Sequence, residues 1–186
     1  MKLFALPFAA FALIAAQPAT EPVLPINPPC SVIADPANKL SLELSTGGTV
    51  VIQLRPDAAP MHVQRIQTLA RSGFYNGTVF HRVIPGFMAQ GGDPTATGEG
   101  GSQLPDLKAE FNTLLHLRGT VAAARTADNT DSANSQFYIM FGRDGTLDNK
   151  YTVFGRVISG MDAVDRITPG QPAAEPTKIV RASIGG

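Results

Sequence analysis

Phe80 to Thr95 reads FHRVIPGFMAQGGDPT, a mostly apolar run that carries one imidazole, one guanidinium and one carboxamide. An arginine among apolar neighbours needs an acidic partner or a ligand, because an unpaired charge taken out of water is costly. Period-two alternation puts Phe80, Arg82 and Ile84 on one face of a strand and His81 and Val83 on the other. Pro85-Gly86 turns the chain, and Met88 and Gln90 then share a face. On spacing alone two readings stay open for Arg82. It is a structural ion pair, or a donor that reaches a ligand's polar backbone from an apolar pocket.

Other chemistries find less support. The histidines are His62, His81 and His116, and no G-x-S-x-G elbow accompanies them. A Ser–His–Asp set would have to assemble in space. No pair of His, Cys or carboxylates has ligand spacing on one element, so no metal is expected. Arg82 beside His81 opposes a cation, and a core or hydrogen-bonded histidine is expected there. The glycines from Gly91-Gly92-Asp93-Pro94 to Gly98-Glu99-Gly100-Gly101 lack the G-x-x-x-x-G-K-[ST] of a phosphate loop, and Glu99 would repel a phosphate. They read as a long turn in close backbone approach.

Short elements surround this run. Leu40, Leu42 and Leu44 alternate with polar residues, Gly47-Gly48 turns, and Thr49 to Leu54 makes a second strand of a hairpin. Asp57 reads as an N-cap, Pro60 as a helix start, and Val63, Ile66, Leu69 and Ala70 as its apolar face, stopped by Gly73. Strands are expected over Thr78 to Ile84, Phe87 to Gln90, Gly119 to Ala124, Gln136 to Met140, Tyr151 to Ile158 and Lys178 to Ile184. A short helix is expected over Met161 to Ile167. Many short strands with few helices suggest an antiparallel barrel or sandwich.

The 186 residues suffice for one domain with a core. Lys plus Arg (15) balance Asp plus Glu (15), and no basic run occurs, so no nucleic-acid partner is expected. Met1-Lys2 followed by apolar Leu3 to Ala16 fits a signal peptide over residues 1–16, short of the ~20 apolar residues a membrane span needs. Cleavage is expected close after Ala16, with an uncleaved anchor as the alternative. Residues 17–38, punctuated by Pro18, Pro22, Pro25, Pro28, Pro29 and Pro36, read as a proline-rich linker, and residues 39–186 as the domain. Cys30 is the single cysteine, so no intrachain disulfide forms.

FHRVIPGFMAQGGD resembles the signature of the cyclophilins, the peptidyl-prolyl cis–trans isomerases. Lys108-Ala109-Glu110-Phe111-Asn112, the run Gly119 to Arg125, Asn134-Ser135-Gln136-Phe137-Tyr138-Ile139, Leu147-Asp148, Val153-Phe154-Gly155 and Val157 to Met161 resemble further family motifs in order. The resemblance implies a mainly all-β fold, a closed eight-stranded antiparallel β-barrel capped by two α-helices, with the ligand groove outside. It implies that Arg82 is catalytic with Gln90 beside it, and that Phe87, Met88, Tyr138 and Leu147 form a proline pocket. Gln136, Ala124, Arg125 and Thr126 would contact the ligand backbone, and Tyr151 falls where many members carry His. It implies no cofactor or metal, proline-containing polypeptides as partners, no stable membrane partner and a monomer. With the signal peptide, it implies folding assistance to exported proteins, periplasmic or secreted.

The sequence departs from the pattern in places. The family's frequent Trp before the L-D pair is Thr146, and weak cyclosporin binding is expected in consequence. Ala123 stands in the usual Met place. Tyr138, where Phe is usual, adds a hydroxyl that either slows turnover or finds a hydrogen bond.

Overall fold

The computed structural model describes residues 24–185. The signal peptide expected over residues 1–16, and linker residues 17–23, lie outside the described residues. The strands are β1 (Lys39–Leu44), β2 (Thr49–Leu54), β3 (Arg82–Ile84), β4 (Met88–Gly91), β5 (Thr120–Ala123), β6 (Phe137–Met140), β7 (Val153–Ser159) and β8 (Ile179–Ile184). They form one antiparallel sheet in the order β3-β4-β6-β5-β7-β2-β1-β8.

β3 and β8, the edges of this order, share no ladder, so the expected closed barrel is corrected to a sheet curled on itself. The seam is held by isolated contacts. Phe80 N–H donates to Thr177 O (3.0 Å), Ile179 N–H donates to Thr78 O (2.8 Å), and Val83 pairs with Gly170. The cause lies just before β3, where Phe80 turns into the core while Arg82 faces out. That breaks the alternation expected to put Phe80 beside Arg82, and the strand begins only at Arg82.

The helices are α1 (Cys30–Ala34), α2 (Pro60–Arg71) and α3 (Met161–Asp165), one more than expected. Val63, Ile66, Leu69 and Ala70 bury the apolar face of α2, which packs on β7 and β8, and α3 packs on β2. Gly73, at φ +75°, ends α2 in a Schellman turn: Phe74 N–H donates to Leu69 O and Gly73 N–H to Ala70 O. Asp57 does not cap α2. It pairs with Arg55 at 2.7 Å, while the Glu110 carboxylate accepts from Met61 N–H (3.0 Å) and His62 N–H (2.9 Å).

The extra helix falls in the stretch read as a linker, and residues 24–38 pack on the domain. Arg55, 3% exposed, donates to the carbonyls of Pro25 and Ile26, each at 3.1 Å. Gln53 Nε2 donates to Val32 O, and Leu24 N–H to Thr113 Oγ1. Prolines cannot supply a ladder of donors. Here side chains of the domain donate to the segment's carbonyls instead.

Two buried clusters flank the sheet. The larger holds Leu40, Leu42, Ile52, Leu54, Phe80, Ala89, Val121, Phe137, Ile139 and Phe154. The smaller holds Met88, Leu114, Ala122, Tyr138, Met140 and Val153, with Phe87, Leu147 and Tyr151 packed on it. Along β6 the residues alternate between the two. Both faces of this part of the sheet are therefore covered, and the smaller cluster underlies the site.

Candidate active site

Register carries the candidate residues into one line. Arg82 lies opposite Gln90, Gln90 opposite Tyr138, and Tyr138 opposite Ala122, across β3, β4, β6 and β5. Ile84, Met88 and Met140 form the next line. Residues opposite one another in a sheet share a face, so these side chains converge on the outer surface. Phe87 comes from the turn before β4, where its N–H donates to Ile84 O (3.0 Å). The bend or bulge expected within the strand is not needed.

A pocket of about 120 Å³ results, lined by Arg82, Phe87, Met88, Gln90, Ala124, Arg125, Tyr138, Leu147 and Tyr151. Gln136 and Thr126, expected in the same groove, line an adjoining cavity of about 610 Å³ that shares Gln90, Ala124 and Arg125 as a wall. Arg125 donates to Lys150 O and lies over the Tyr151 ring, 4.6 Å from its centroid. Leu147 sits on a 3-10 turn (Gly145–Leu147) whose Asp144 carboxylate accepts from Thr146 N–H and Oγ1–H.

Arg82 makes no ion pair among the described residues. Its Nη1 donates to Gln90 Oε1 (3.3 Å) and lies 4.0 Å from Met88 Sδ. The ion-pair alternative left open by spacing is therefore not realised there. Gln90 Nε2 donates to Gln136 Oε1 (2.9 Å), and Gln136 Nε2 donates to the carbonyls of Gly98 (2.9 Å) and Gly100 (2.8 Å). The carboxamides thus point their donors one way and leave Gln90 Oε1 for the guanidinium. The glycine-rich stretch wraps the Asp93 carboxylate, which accepts from the N–H groups of Thr95, Gly98 and Gly100. At Gly100 a Cβ would overlap Asp93 Oδ1, which explains the close backbone approach.

Sequence reasoning missed what lies under the pocket. His116, fully buried, places Nε2 at 3.0 Å from the Tyr138 hydroxyl and Nδ1 at 3.1 Å from Asp148 Oδ1. Arg143 pairs with the other Asp148 oxygen at 2.7 Å. Burial opposes ionisation of Asp148, yet the Arg143 guanidinium and the His116 N–H groups hold its pKa down to about 2. Burial keeps His116 below the ordinary imidazole value although Asp148 pulls it up. The one sequence signal was the Tyr138 hydroxyl itself, which needs a partner. His81, by contrast, is a core histidine whose two ring nitrogens have no hydrogen-bond partner among the described residues.

Residues 39–184 match the family model described as cyclophilin type peptidyl-prolyl cis-trans isomerase/CLD. A probable peptidyl-prolyl cis-trans isomerase of Brucella suis is 50% identical over 167 residues, 81% of this chain and 84% of its own. The peptidyl-prolyl cis-trans isomerase ppi1 of Schizosaccharomyces pombe is 40% identical over 76% of this chain and 97% of its own. Among solved structures, the cyclophilin AquaCyp293 from Hirschia baltica is similar at TM-score 0.74 and 31% identity, over 81% of this chain and 74% of that one. A Cryptosporidium parvum cyclophilin type isomerase, solved in the presence of the dipeptide Ala-Pro, is similar at TM-score 0.72 and 26% identity, over 78% and 98%.

Proposed function

The chain belongs to the cyclophilin-type peptidyl-prolyl cis-trans isomerases, and from that premise we propose that Arg82 drives its isomerase reaction by donating to the proline nitrogen at the twisted transition state. Rotation about the X–Pro bond crosses a barrier of about 18–20 kcal/mol, because the planar imide loses its C–N double-bond character on the way. The nitrogen lone pair, delocalised in either planar isomer, localises at the twist and becomes an acceptor only there. A guanidinium that bonds it stabilises the transition state and neither ground state, which lowers the barrier. Arginine suits the role, since it stays charged and offers several donors.

The observation that carries the reading is the Arg82 guanidinium at the wall of an apolar pocket. It has no acidic partner among the described residues, and only Nη1 is engaged, by Gln90 and Met88. Phe87, Met88, Tyr138 and Leu147 would hold the proline ring, with Gln90 beside the rotating carbonyl. No proton moves and no covalent bond forms. A proline-switch peptide assay tests this. Arg82→Ala is expected to lower kcat/KM roughly 10²–10³-fold, the range for losing one transition-state donor, with the fold intact by circular dichroism. Equal turnover in the two proteins sinks the mechanism.

We further propose that the clients are exported polypeptides, from the basic start and apolar run of residues 1–16. The N-terminal mass of protein recovered from a bacterial periplasm is expected to begin close after Ala16. Recovery from the cytoplasm alone, with the run retained, rejects this part.

A further inference from the structure

Tyr138 forms part of the pocket wall, yet its hydroxyl is turned away from the pocket. The ring is 5% exposed, and its oxygen lies 3.0 Å from His116 Nε2. The two rings are nearly parallel, at 19° and 6.0 Å between centroids, and Tyr151 stands edge-on to both. On its other side the imidazole meets Asp148, the residue after Leu147 at the pocket wall. Asp148 Oδ1 accepts the His116 backbone N–H as well, at 2.8 Å. One buried ring therefore links two parts of the pocket that come from different strands and loops.

The direction of these bonds follows from charge. An ionised carboxylate only accepts, so His116 Nδ1 carries the hydrogen. A neutral imidazole then has its lone pair on Nε2, and Tyr138 O–H donates to it. Burial keeps the ring neutral at neutral pH and pushes the Tyr138 phenol pKa upward, so the phenol keeps its proton. The groups facing His116 are Arg143, Asp144 and Asp148 from the loop after β6, Tyr138 from β6 and Tyr151 before β7. Among the described residues the Tyr138 hydroxyl has no second partner. Without His116 it would be an unsatisfied buried donor, or would turn toward a proline ring that offers no acceptor.

We propose that His116 is a positioning residue for the proline pocket: it engages the Tyr138 hydroxyl on one nitrogen and Asp148 on the other, which keeps the pocket wall apolar and fixed to Leu147. This rests on the isomerase reading of the pocket. It gives His116 a place in substrate binding, with no contact to the substrate.

A double-mutant cycle tests it, with KM and kcat for an Ala-Pro peptide measured on wild type, His116→Leu, Tyr138→Phe and the double variant. In the wild-type background His116→Leu is expected to raise KM about fivefold, the size of one neutral hydrogen bond, with kcat changed less. In the Tyr138→Phe background the same substitution is expected to change KM less than twofold, because the hydroxyl it served is gone. Equal effects in the two backgrounds, or no effect in either, overturn the proposal. If His116→Leu does not fold, nitrogen NMR of the wild-type imidazole decides. Protonation at Nδ1 alone is expected at neutral pH, and the Nε2-protonated tautomer overturns the proposal. Arg82→Ala in the same assay separates the two readings. Turnover intact in Arg82→Ala with a coupled cycle sinks the Arg82 mechanism only, whereas turnover lost with an additive cycle sinks the His116 role only.

Discussion

At Gln136 one carboxamide decides which way the donors of the groove point. Its Nε2 bonds two carbonyls, Gly98 O and Gly100 O, so its oxygen faces Gln90 Nε2, and Gln90 Oε1 is left to accept from Arg82. Gln136→Glu removes the two donors and sets a carboxylate against two carbonyl oxygens. Each lost side-chain bond is worth about 1 kcal/mol, and kcat/KM is expected to fall roughly tenfold as Gln90 loses its fixed orientation. Turnover of Gln136→Glu measured beside its melting temperature checks this. Undiminished turnover means the relay does not position Arg82. At this scale the sequence was legible where function imposes a residue type: Arg82, Gln90 and Tyr138 were readable from their motifs. His116 was not, because its partners Tyr138 and Asp148 lie far along the chain and no spacing rule links them. Phe80 was misplaced because alternation assumes an unbroken strand, and the core took its side chain instead.

Among the elements, legibility tracks how local the determining chemistry is. The C-terminus of α2 was readable, since a glycine in left-handed conformation closes a Schellman turn within a few residues. Its N-terminus was not, since the cap arrives from Glu110, far along the chain, and Asp57 is taken by Arg55. In β5 (TVAA) and β6 (FYIM) all four residues of each strand are buried. A period-two pattern cannot then tell the core face from the site face, and only the register with β4 does so. The segment at 24–38 makes the same point. Its prolines do argue against a strand, but they say nothing about whether the domain offers donors. Arg55 and Gln53 are those donors, and both point into the segment from β2 or just beyond it.

At the scale of the molecule, the strand count and antiparallel arrangement were readable, but closure was not, because the seam depends on isolated bonds around Thr78, Phe80 and Thr177. The whole fold also buries its histidines: His62 is 3% exposed, His81 5% and His116 0%. Burial lowers each below its ordinary 6.5, although Glu110, Asp93 and Asp148 respectively oppose it. The unfolded chain therefore takes up protons as pH falls through about 6.5, while the folded chain does not until lower pH. The contribution of each histidine to stability is complete above about 6.5 and is lost progressively below it. Asp148, held at about 2, acts with the same sign but only below its ordinary 3.8. Between pH 5 and 6.5 the decline is thus assigned to the histidines, each by at most about 1.4 kcal/mol per pH unit.

His81 isolates one of the three contributions, since neither of its ring nitrogens has a hydrogen-bond partner to lose. Replacing a buried, unpaired polar group by an apolar one of similar reach is near neutral or stabilising. For His81→Leu, urea denaturation is expected to give a stability at pH 7 equal to wild type or up to about 1 kcal/mol higher. From pH 6.5 to 5 its decline is expected to be shallower than that of wild type, because one proton uptake by the unfolded chain is gone. Parallel declines in the two proteins would mean that the folded chain already accepts that proton, and that the cavity around His81 admits water and charge in a way its burial does not suggest.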